Sequence, residues 1–289
     1  MAAFDQVMMK TILLTSLALL AFAANSVLCR LALAQDLIDA GSFTVIRLLS
    51  GALMLLLILA FQQRGKHQNT QPMHWAASLM LFLYAITFSY AYTLLDTGTG
   101  ALILFGAGQV TLIAYAIWQG KRLSILESLG LLIASLGFAY LMLPSASTPS
   151  FQGFVLMSVS GAAWAFYTVM GQGSKFALRD TAGNFKRTIP LAMLLLLVSY
   201  AYAHISKLGI LYAVLSGAVA SGVGYTLWYQ AVVRLQTLHA AVVQLLVPVL
   251  AAIAGIVLLS EPLTVQLMLS AAMILGGVFL VTLYRSPPT

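Results

Sequence analysis

Long apolar runs recur along almost the entire chain. A helix needs about 20 mostly apolar residues to cross a hydrocarbon core about 30 Å thick. Ten stretches meet that requirement, and we number them as segments one to ten: 10–32, 42–62, 74–94, 99–119, 124–143, 152–174, 186–204, 208–232, 238–259 and 265–284. The connections are short and contain breakers such as Pro72 and Pro149. The pattern predicts an all-α integral membrane protein with ten transmembrane helices and no soluble domain.

The composition agrees with helices that face lipid. Hydrophobic residues make up 61% of the 289 residues and charged residues only 7%, against about 25% charged residues in soluble domains. The net charge of +7 would suggest a nucleic-acid partner on a soluble protein, but short cytoplasmic loops also collect Lys and Arg. We therefore expect membrane lipid and no nucleic acid as a partner. Cys29 is the only cysteine, so neither a disulfide within the chain nor a cysteine-based metal cluster is expected, and we predict no cofactor.

The basic residues are distributed unevenly between alternate loops. With ten spans, three of the 14 Lys and Arg residues fall on one side of the membrane: Arg30, Arg47 and Lys207. The other eleven fall on the opposite side: Lys10, Arg64, Lys66, Lys121, Arg122, Lys175, Arg179, Lys186, Arg187, Arg234 and Arg285. Because cytoplasmic loops carry the excess of Lys and Arg, this distribution predicts that both termini are cytoplasmic.

A shift of 140 residues brings the two halves of the chain into register. The shift places Arg47 on Arg187 and Gly137 on Gly277, and it also pairs Thr97 with Thr237. We therefore divide the chain into a first five-helix repeat, 1–145, and a second, 146–289. Since five is an odd number of spans, the two repeats must cross the membrane in opposite directions. Inverted repeats are the structural basis of alternating access in transporters; the alternative is an old duplication without a transport role.

The end of the second half resembles a known family. The stretch Leu258–Thr264, with Glu261 after the ninth segment, Pro248 inside it and Gly277-Val278 in the last segment, resembles an EamA-type repeat. The five-plus-five layout resembles the drug/metabolite transporter superfamily, and most of all the YddG-type aromatic amino acid exporters. The resemblance implies a carrier in a bacterial inner (plasma) membrane that exports amino acids. The first half departs from the motif, because Lys121-Arg122 and Gly108 stand where Glu261-Pro262 and Pro248 stand in the second.

Aromatic and neutral polar residues recur at helical spacing in six segments that the resemblance assigns to the cavity wall. Tyr84 and Phe88 share one face of the third segment. Aromatic residues near span ends are also typical membrane-interface anchors, and buried amides also form hydrogen bonds between helices. The candidate substrate-binding residues are Trp164, Tyr84, Tyr225, Gln109, Gln244, Asn25, Phe88, Tyr167 and Ser221.

The acidic residues restrict the cargo. All seven fall in predicted loops or near segment ends: Asp5, Asp36, Asp39, Asp96, Glu127, Asp180 and Glu261. Ionisable groups inside the hydrocarbon region are costly and usually functional, and here no carboxylate is predicted there. A cationic substrate would lack a counter-ion, so we expect an uncharged or zwitterionic amphipathic solute. Proton coupling and facilitated diffusion both stay open.

Five residues are candidates for gating. Pro248 removes a backbone hydrogen bond and predicts a hinge, and Gly108 takes its place in the first half, where close helix packing is the alternative. Arg47 and Arg187 are each predicted about one turn inside a segment. They either reach the headgroups or pair with loop acids, and Glu261 is the expected partner of Arg47.

Other classes of protein fit less well. The sequence contains no H-E-x-x-H or G-x-S-x-G motif, so we predict no enzyme activity, and no filter-like loop indicates a channel. Two alternatives stay open. One is carriage of a different metabolite or drug-like compound in either direction, and the other is a non-transporting receptor or structural membrane protein.

Overall fold

The computed structural model describes residues 2–62, 75–120, 122–144, 148–171, 174, 176–232 and 243–283. These residues form α1 (Ala2–Ala34), α2 (Ala40–Gln62), α3 (Trp75–Tyr92), α4 (Thr97–Trp118), α5 (Ile125–Leu141), α6 (Phe151–Gly171), α7 (Ala177–Ser199), α8 (Lys207–Val214), a π-helix (Leu215–Val223), α9 (Gly224–Val232), α10 (Leu246–Leu259) and α11 (Val265–Leu283). A 3₁₀ turn, Tyr200–Tyr202, follows α7. Within the described ranges the chain forms no strand beyond one isolated bridge between Ile38 and Ile205.

Eight stretches of the described chain are long and apolar enough to span a membrane. They correspond to α1, α2, α3, α4, α6, α7, the continuous stretch of α8, π-helix and α9, and α11. The remaining apolar helices, α5 and α10, have 17 and 14 residues. The all-helical prediction of a multi-pass membrane protein is confirmed, whereas the count of ten spans stays a prediction.

Two differences from the predicted bounds concern the elements around the site. The helix of the seventh segment begins at Ala177 rather than at residue 186, because the polar first turns, which contain Arg179 and Asp180, lower the hydropathy that marks a span. The ninth segment is interrupted: residues 243 and 244 are helical, Leu245 is a turn, and α10 begins at Leu246.

Several predictions fall on residues outside the described ranges. They concern the boundary between the two repeats at 145–146, Thr237 in its match with Thr97, and six of the basic residues used to orient the chain. Those basic residues are Arg64, Lys66, Lys121, Lys175, Arg234 and Arg285.

The helices pack in a small number of close pairs. α5 lies against α11, α2 against α7 and the π-helix, and α1 against α9 and α10, while α6 contacts both α3 and α4. The α5–α11 contact requires glycine, since a Cβ at Gly130 would lie 2.6 Å from the Gly277 carbonyl oxygen and a Cβ at Gly277 would lie 2.4 Å from that of Gly130. Small residues allow such close approach of helix backbones within a membrane.

The π-helix widens the eighth segment where it meets α2. A Cβ on Gly217 would lie 2.1 Å from both the Arg47 carbonyl oxygen and the Ser50 Oγ atom, so the two backbones touch at this glycine. A π-helix is a rare insertion into an α-helix and is found mostly at functional sites. Here it turns Ser216 and Ser221 towards α1 and the interior, where both are buried.

Candidate functional site

A narrow inner cavity with a volume of about 30 Å³ lies between α1, α3, α4, α6, the π-helix and α9. Its wall is mainly aromatic and apolar, with a few neutral polar groups. The lining residues are Phe22, Asn25, Ser26, Tyr84, Phe88, Leu104, Phe105, Trp164, Ala220, Ser221, Tyr225 and Gln244. No aspartate or glutamate is among these described lining residues, so the inner cavity offers no counter-ion for a cation.

A line of aromatic rings forms one side of this cavity. The ring centroids of Tyr84 and Trp164 are 5.2 Å apart, and those of Trp164 and Tyr225 are 5.5 Å apart and stacked with an interplanar angle of 24°. Tyr225 in turn stacks on Tyr229 at 6.5 Å. These side chains come from α3, α6 and α9, so the packing of three helices places flat apolar surfaces side by side. Such surfaces suit an amphipathic solute that contains a ring.

A second cavity, the vestibule, adjoins the inner cavity on the side of the connection between α6 and α7. It has a volume of about 380 Å³ and shares Trp164, Tyr225 and Gln244 with the inner cavity. The other lining residues are Tyr167, Thr168, Gly171, Ser174, Ala177, Asp180, Thr181, Asn184, Trp228 and Tyr229. The three shared side chains therefore form the boundary between the inner cavity and the vestibule.

Hydrogen bonds fix the polar part of the vestibule wall. The Tyr167 hydroxyl donates to the Thr181 Oγ1 atom at 3.4 Å, and Thr181 donates to the Tyr229 hydroxyl at 2.9 Å. Asp180 is held by the Ser174 hydroxyl at 2.5 Å. These bonds join α6, α7 and α9 around the vestibule, and Asp180 is the acidic residue among its described lining.

A buried arginine lies directly behind the inner wall. Arg47 of α2 is 2% exposed, and its Nη2 atom donates to the Tyr84 hydroxyl at 2.9 Å. Its guanidinium carbon lies 4.7 Å from the centroid of the Phe88 ring and 5.2 Å from that of Tyr84. The Tyr84 hydroxyl also accepts a bond of 3.3 Å from Asn25, whose side-chain oxygen accepts one of 2.6 Å from Ser216. Helices α1, α2, α3 and the π-helix thus meet in one polar network beside the cavity.

Glu261 closes the end of the bundle opposite the vestibule. Both of its carboxylate oxygens lie 2.9 Å from the Thr97 backbone nitrogen, and the Thr97 hydroxyl donates to it at 2.8 Å. Thr97 is the first residue of α4, so the carboxylate caps that helix, where a negative charge is favourable. Ser260 adopts a left-handed conformation with φ of 57° at the end of α10, which turns Glu261 back towards α4.

Arg30 of α1 joins this closed end, which we call the seal. The Arg30 Nε atom lies 3.5 Å from Glu261, its Nη2 atom forms an ion pair of 3.1 Å with Asp96, and its Nη1 atom donates to the Tyr92 carbonyl oxygen at 3.0 Å. The Tyr92 hydroxyl donates to the Thr97 carbonyl oxygen at 3.3 Å. The seal therefore ties α1, α3, α4 and the α10–α11 connection together through charged groups.

The α1–α2 and α7–α8 connections meet at the same end of the bundle. His204 lies 2.9 Å from Asp36, and the His204 backbone nitrogen donates to the Asp39 carboxylate at 3.2 Å. Two backbone bonds, from Asp39 to the His204 carbonyl oxygen and from Ser206 to that of Leu37, complete the contact. This end of the bundle is thus joined at two places, while the vestibule lies at the other end.

Comparisons with known proteins agree on one family. The profile of the EamA-like transporter family matches residues 151–283. An uncharacterized protein of Pseudomonas aeruginosa is 48% identical over 272 residues, which are 94% of this chain and 94% of that protein. This chain belongs to the EamA-like transporter family.

More distant relatives extend the comparison. An uncharacterized transporter of Archaeoglobus fulgidus is 26% identical over 208 residues, 70% of this chain and 74% of that protein. The uncharacterized transporter YoaV of Bacillus subtilis is 20% identical over 253 residues, 83% and 86% of the two chains. A solved crystal structure shares the fold with a TM-score of 0.61 at 19% identity and covers 94% of this chain and 99% of that chain. The EamA-like chain is therefore a membrane transporter of the drug/metabolite transporter superfamily and not an enzyme.

Most of the predicted substrate-binding residues of this EamA-like transporter lie together. Seven line the inner cavity: Trp164, Tyr84, Tyr225, Gln244, Asn25, Phe88 and Ser221. Tyr167 lines the vestibule instead, and Gln109, half-buried on α4, is not among the lining residues of either cavity. The structure thus brings these residues together, whereas their role in binding stays a prediction.

The predicted gating residues are placed differently from the expectation. The expected pair of Arg47 and Glu261 is wrong: Glu261 contacts Thr97 and Arg30, while Arg47 is buried against Tyr84. Its burial also excludes contact with lipid headgroups in this conformation. Arg187 lies about three turns inside α7, because that helix begins at Ala177. Its side chain is half-buried, and its Nη1 atom has no hydrogen-bond partner among the described residues.

Pro248 and Gly108, the two gating candidates expected to act through the backbone, lie in different environments. Pro248 lies in the first turn of α10, just after the interruption at Leu245. A proline cannot donate to the preceding turn and clashes with the carbonyl four residues before it, here that of Gln244, which explains the interruption. Gly108 instead lies at a close contact of α4 with α6, where the Gly161 backbone approaches it. The environment of Gly108 agrees with the packing alternative, and no hinge role follows from it.

Several residues at the site were missed by the sequence analysis. Phe22 and Ser26 share the α1 face of Asn25, and helical spacing alone could have found them. Thr181 and Asn184 precede the predicted seventh segment, so they were not considered. Arg30 was counted only as a loop charge, although its contacts with Asp96 and Glu261 make it the centre of the seal.

Proposed function

We propose that this protein is an alternating-access carrier that exports small amphipathic metabolites, aromatic and other apolar amino acids among them, across a bacterial inner membrane. The observation that carries the proposal is the inner cavity itself. It is lined by aromatic rings and neutral polar groups, adjoins a vestibule at one end of the bundle, and is separated from the other end by the seal. A binding site reachable from one side only is what a carrier requires in each of its two states.

The packing pairs support an inverted repeat. A shift of five segments exchanges the contact of segments three and six with that of eight and one, and the contact of four and six with that of nine and one. The contacts of two with seven and of five with ten map onto themselves. This pattern is expected for a pseudo-twofold axis that relates the two halves, and it supports two alternative packings around one cavity.

The distribution of Lys and Arg between the loops indicates which end of the bundle faces the cytoplasm. The vestibule lies at the α6–α7 connection, on the side that carries the excess of Lys and Arg, and the seal lies on the other. Because the excess marks the cytoplasm, we infer that the vestibule faces the cytoplasm and the seal faces outward. The conformation described here is then inward-facing.

The change to the outward-facing state requires the seal to open. Arg30, Glu261 and Thr97 would separate, and the interruption at Leu245 offers a place where segment nine can bend, since Pro248 donates no backbone hydrogen bond to the preceding turn. Interrupted helices in membrane proteins are tolerated where they line a cavity, and Gln244 lies in both cavity walls. The inner cavity has no carboxylate among its described lining residues, so facilitated diffusion down a substrate gradient and proton coupling both stay open.

The test is solute flux into proteoliposomes. Purified protein should accelerate the flux of labelled phenylalanine, tryptophan or methionine above that of empty liposomes. Trp164→Ala removes the central ring of the aromatic line and should weaken the apparent affinity about tenfold, since aromatic contacts and their burial together contribute about 1–3 kcal/mol. Trp118→Ala, at a side chain 81% exposed, is the matched control and should leave the affinity unchanged.

Two results would contradict parts of the proposal. Equal flux with and without protein for every solute of the panel would remove the carrier function, and an apparent affinity that Trp164→Ala leaves intact for every transported solute would remove Trp164 from the binding site. An imposed pH gradient in the same assay decides the coupling, because a facilitator responds to the solute gradient alone.

A further inference from the structure

Arg47 is a buried cation without an anionic partner. Its side chain is 2% exposed, and no described carboxylate forms an ion pair with it. The bond from Nη2 goes to a neutral hydroxyl, and Nη1 is buried without a hydrogen-bond partner among the described residues. The Phe88 and Tyr84 rings offer only their faces to the guanidinium.

Such a group is costly within a membrane. Arginine stays protonated, and a buried charge without a partner destabilises a protein by several kcal/mol. Charged residues inside transmembrane bundles normally pair or mark the pathway of a substrate. The partly unsatisfied guanidinium of Arg47 is therefore a site that an anion would complete.

The inner cavity is in direct contact with this site. Tyr84 and Phe88 both contact the Arg47 guanidinium and line the inner cavity. The Tyr84 hydroxyl accepts hydrogen bonds from Arg47 and from Asn25, so its own proton is available to a group in the cavity. Because the bond from a cation polarises this hydroxyl, it is a stronger donor towards an anionic oxygen than an ordinary tyrosine.

We propose that Arg47 and Tyr84 form a carboxylate-binding end of the inner cavity, so that the transporter selects monocarboxylates with an aromatic or apolar body. The substrate carboxylate accepts a bond from the Tyr84 hydroxyl and neutralises Arg47, while its body lies along Trp164 and Tyr225. This inference rests on the proposed transport function and specifies the substrate class of the same cavity.

The charges around the inner cavity restrict the class of substrate further. A single guanidinium balances one negative charge, so a dianion such as a phosphate ester would bring an uncompensated charge into the bundle. No described residue of the inner wall carries a negative charge that could form an ion pair with an ammonium group. Amino acids therefore bind through the carboxylate, and the corresponding acids without an amino group bind at least as well.

The test compares ligands that share one body. The set is 3-phenylpropanoate, phenylalanine, 3-phenylpropanamide and 2-phenylethylamine, each measured as a competitor of labelled phenylalanine in proteoliposomes and as a quencher of tryptophan fluorescence in detergent. With the wild-type protein, the two carboxylates should be at least tenfold more potent than the amide, and the amine should be the weakest. Equal potency of the carboxylate and the amide would overturn the inference.

Two variants assign the preference to the named groups. Arg47→Gln should bring the ratio of carboxylate to amide potency close to one, and Tyr84→Phe, which removes only the hydroxyl, should lower it several-fold. Arg122→Gln, at an exposed loop position, removes a positive charge elsewhere and should keep the wild-type ratio. A ratio that Tyr84→Phe leaves unchanged would contradict the inference even if Arg47→Gln does not fold.

Different results would contradict the carrier function and the selection of carboxylates. If flux occurs but carboxylates and amides compete equally, the carrier function stands and carboxylate selection falls. If carboxylates quench the fluorescence selectively but no flux occurs, the binding site stands and the carrier function falls.

Discussion

Glu261 and Arg47 illustrate what single residues do in this bundle. Glu261 connects two helices through the N-terminus of α4, and the sequence predicted its place at a helix end but not its partners. Arg47 was predicted near a segment end and is instead about two turns inside α2, which begins at Ala40. The partners of both residues depend on how neighbouring helices rotate against one another, and hydropathy carries no information on that rotation.

We predict that removing the charge of Glu261 destabilises the closed seal. Glu261→Gln keeps the shape of the side chain but removes the charge that caps α4 and faces Arg30. Hydrogen bonds to charged groups contribute about 1.5–3 kcal/mol, so the outward-open population should rise about tenfold or more. The measurement is the rate at which a membrane-impermeant maleimide, added from the side of the seal, labels Ser26→Cys in a Cys29→Ser background.

The control for this measurement is Glu127→Gln. Glu127 is also a buried carboxylate, at 2% exposed, but it closes a capping box with Ser124 in the first turn of its own helix. Labelling of Ser26→Cys should therefore stay slow in that variant. If Glu261→Gln also labels at the wild-type rate, the seal does not hold the outer end closed.

At the scale of elements, the sequence predicted the helices better than their irregularities. The apolar runs predicted the spans because lipid demands about 20 apolar residues per crossing. The early start of α7 was missed because its first turns are polar. The π-helix was not predicted at all: Leu215–Val223 is rich in small residues, which indicates close packing but not the wider turn of a π-helix.

The π-helix supports a prediction about packing. Gly217→Ala places a methyl group 2.1 Å from the Arg47 carbonyl oxygen and the Ser50 Oγ atom, and a backbone atom cannot move aside without shifting α2. Overpacking of this kind costs about 1–3 kcal/mol, so the melting temperature of the purified protein should fall clearly. Gly276→Ala, with no atom within 4 Å of the new methyl group, is the matched control and should melt as the wild type does. Equal melting of the two variants would contradict the close contact of α2 with the π-helix.

At the scale of the whole molecule, two weak signals in the sequence led to predictions about the arrangement of the helices. The repeated offset predicted two related halves, and the pairing of helices in the bundle agrees with an exchange of the halves. The aromatic residues at helical spacing predicted a common wall, and seven of the nine candidates line the inner cavity. Neither signal predicted the contacts of the seal or the position of the vestibule, because both depend on how the helices pack against one another.

The central claim is that one cavity is exposed alternately to the two sides of the membrane, and counterflow tests it most directly. Proteoliposomes are loaded with a high concentration of unlabelled phenylalanine and diluted into a trace of the labelled compound. A carrier that reorients with its substrate exchanges internal for external molecules, so the label should accumulate transiently above its external concentration and then decline. A monotonic approach of the label to equilibrium, without an overshoot, would show a pore or a leak and would contradict alternating access.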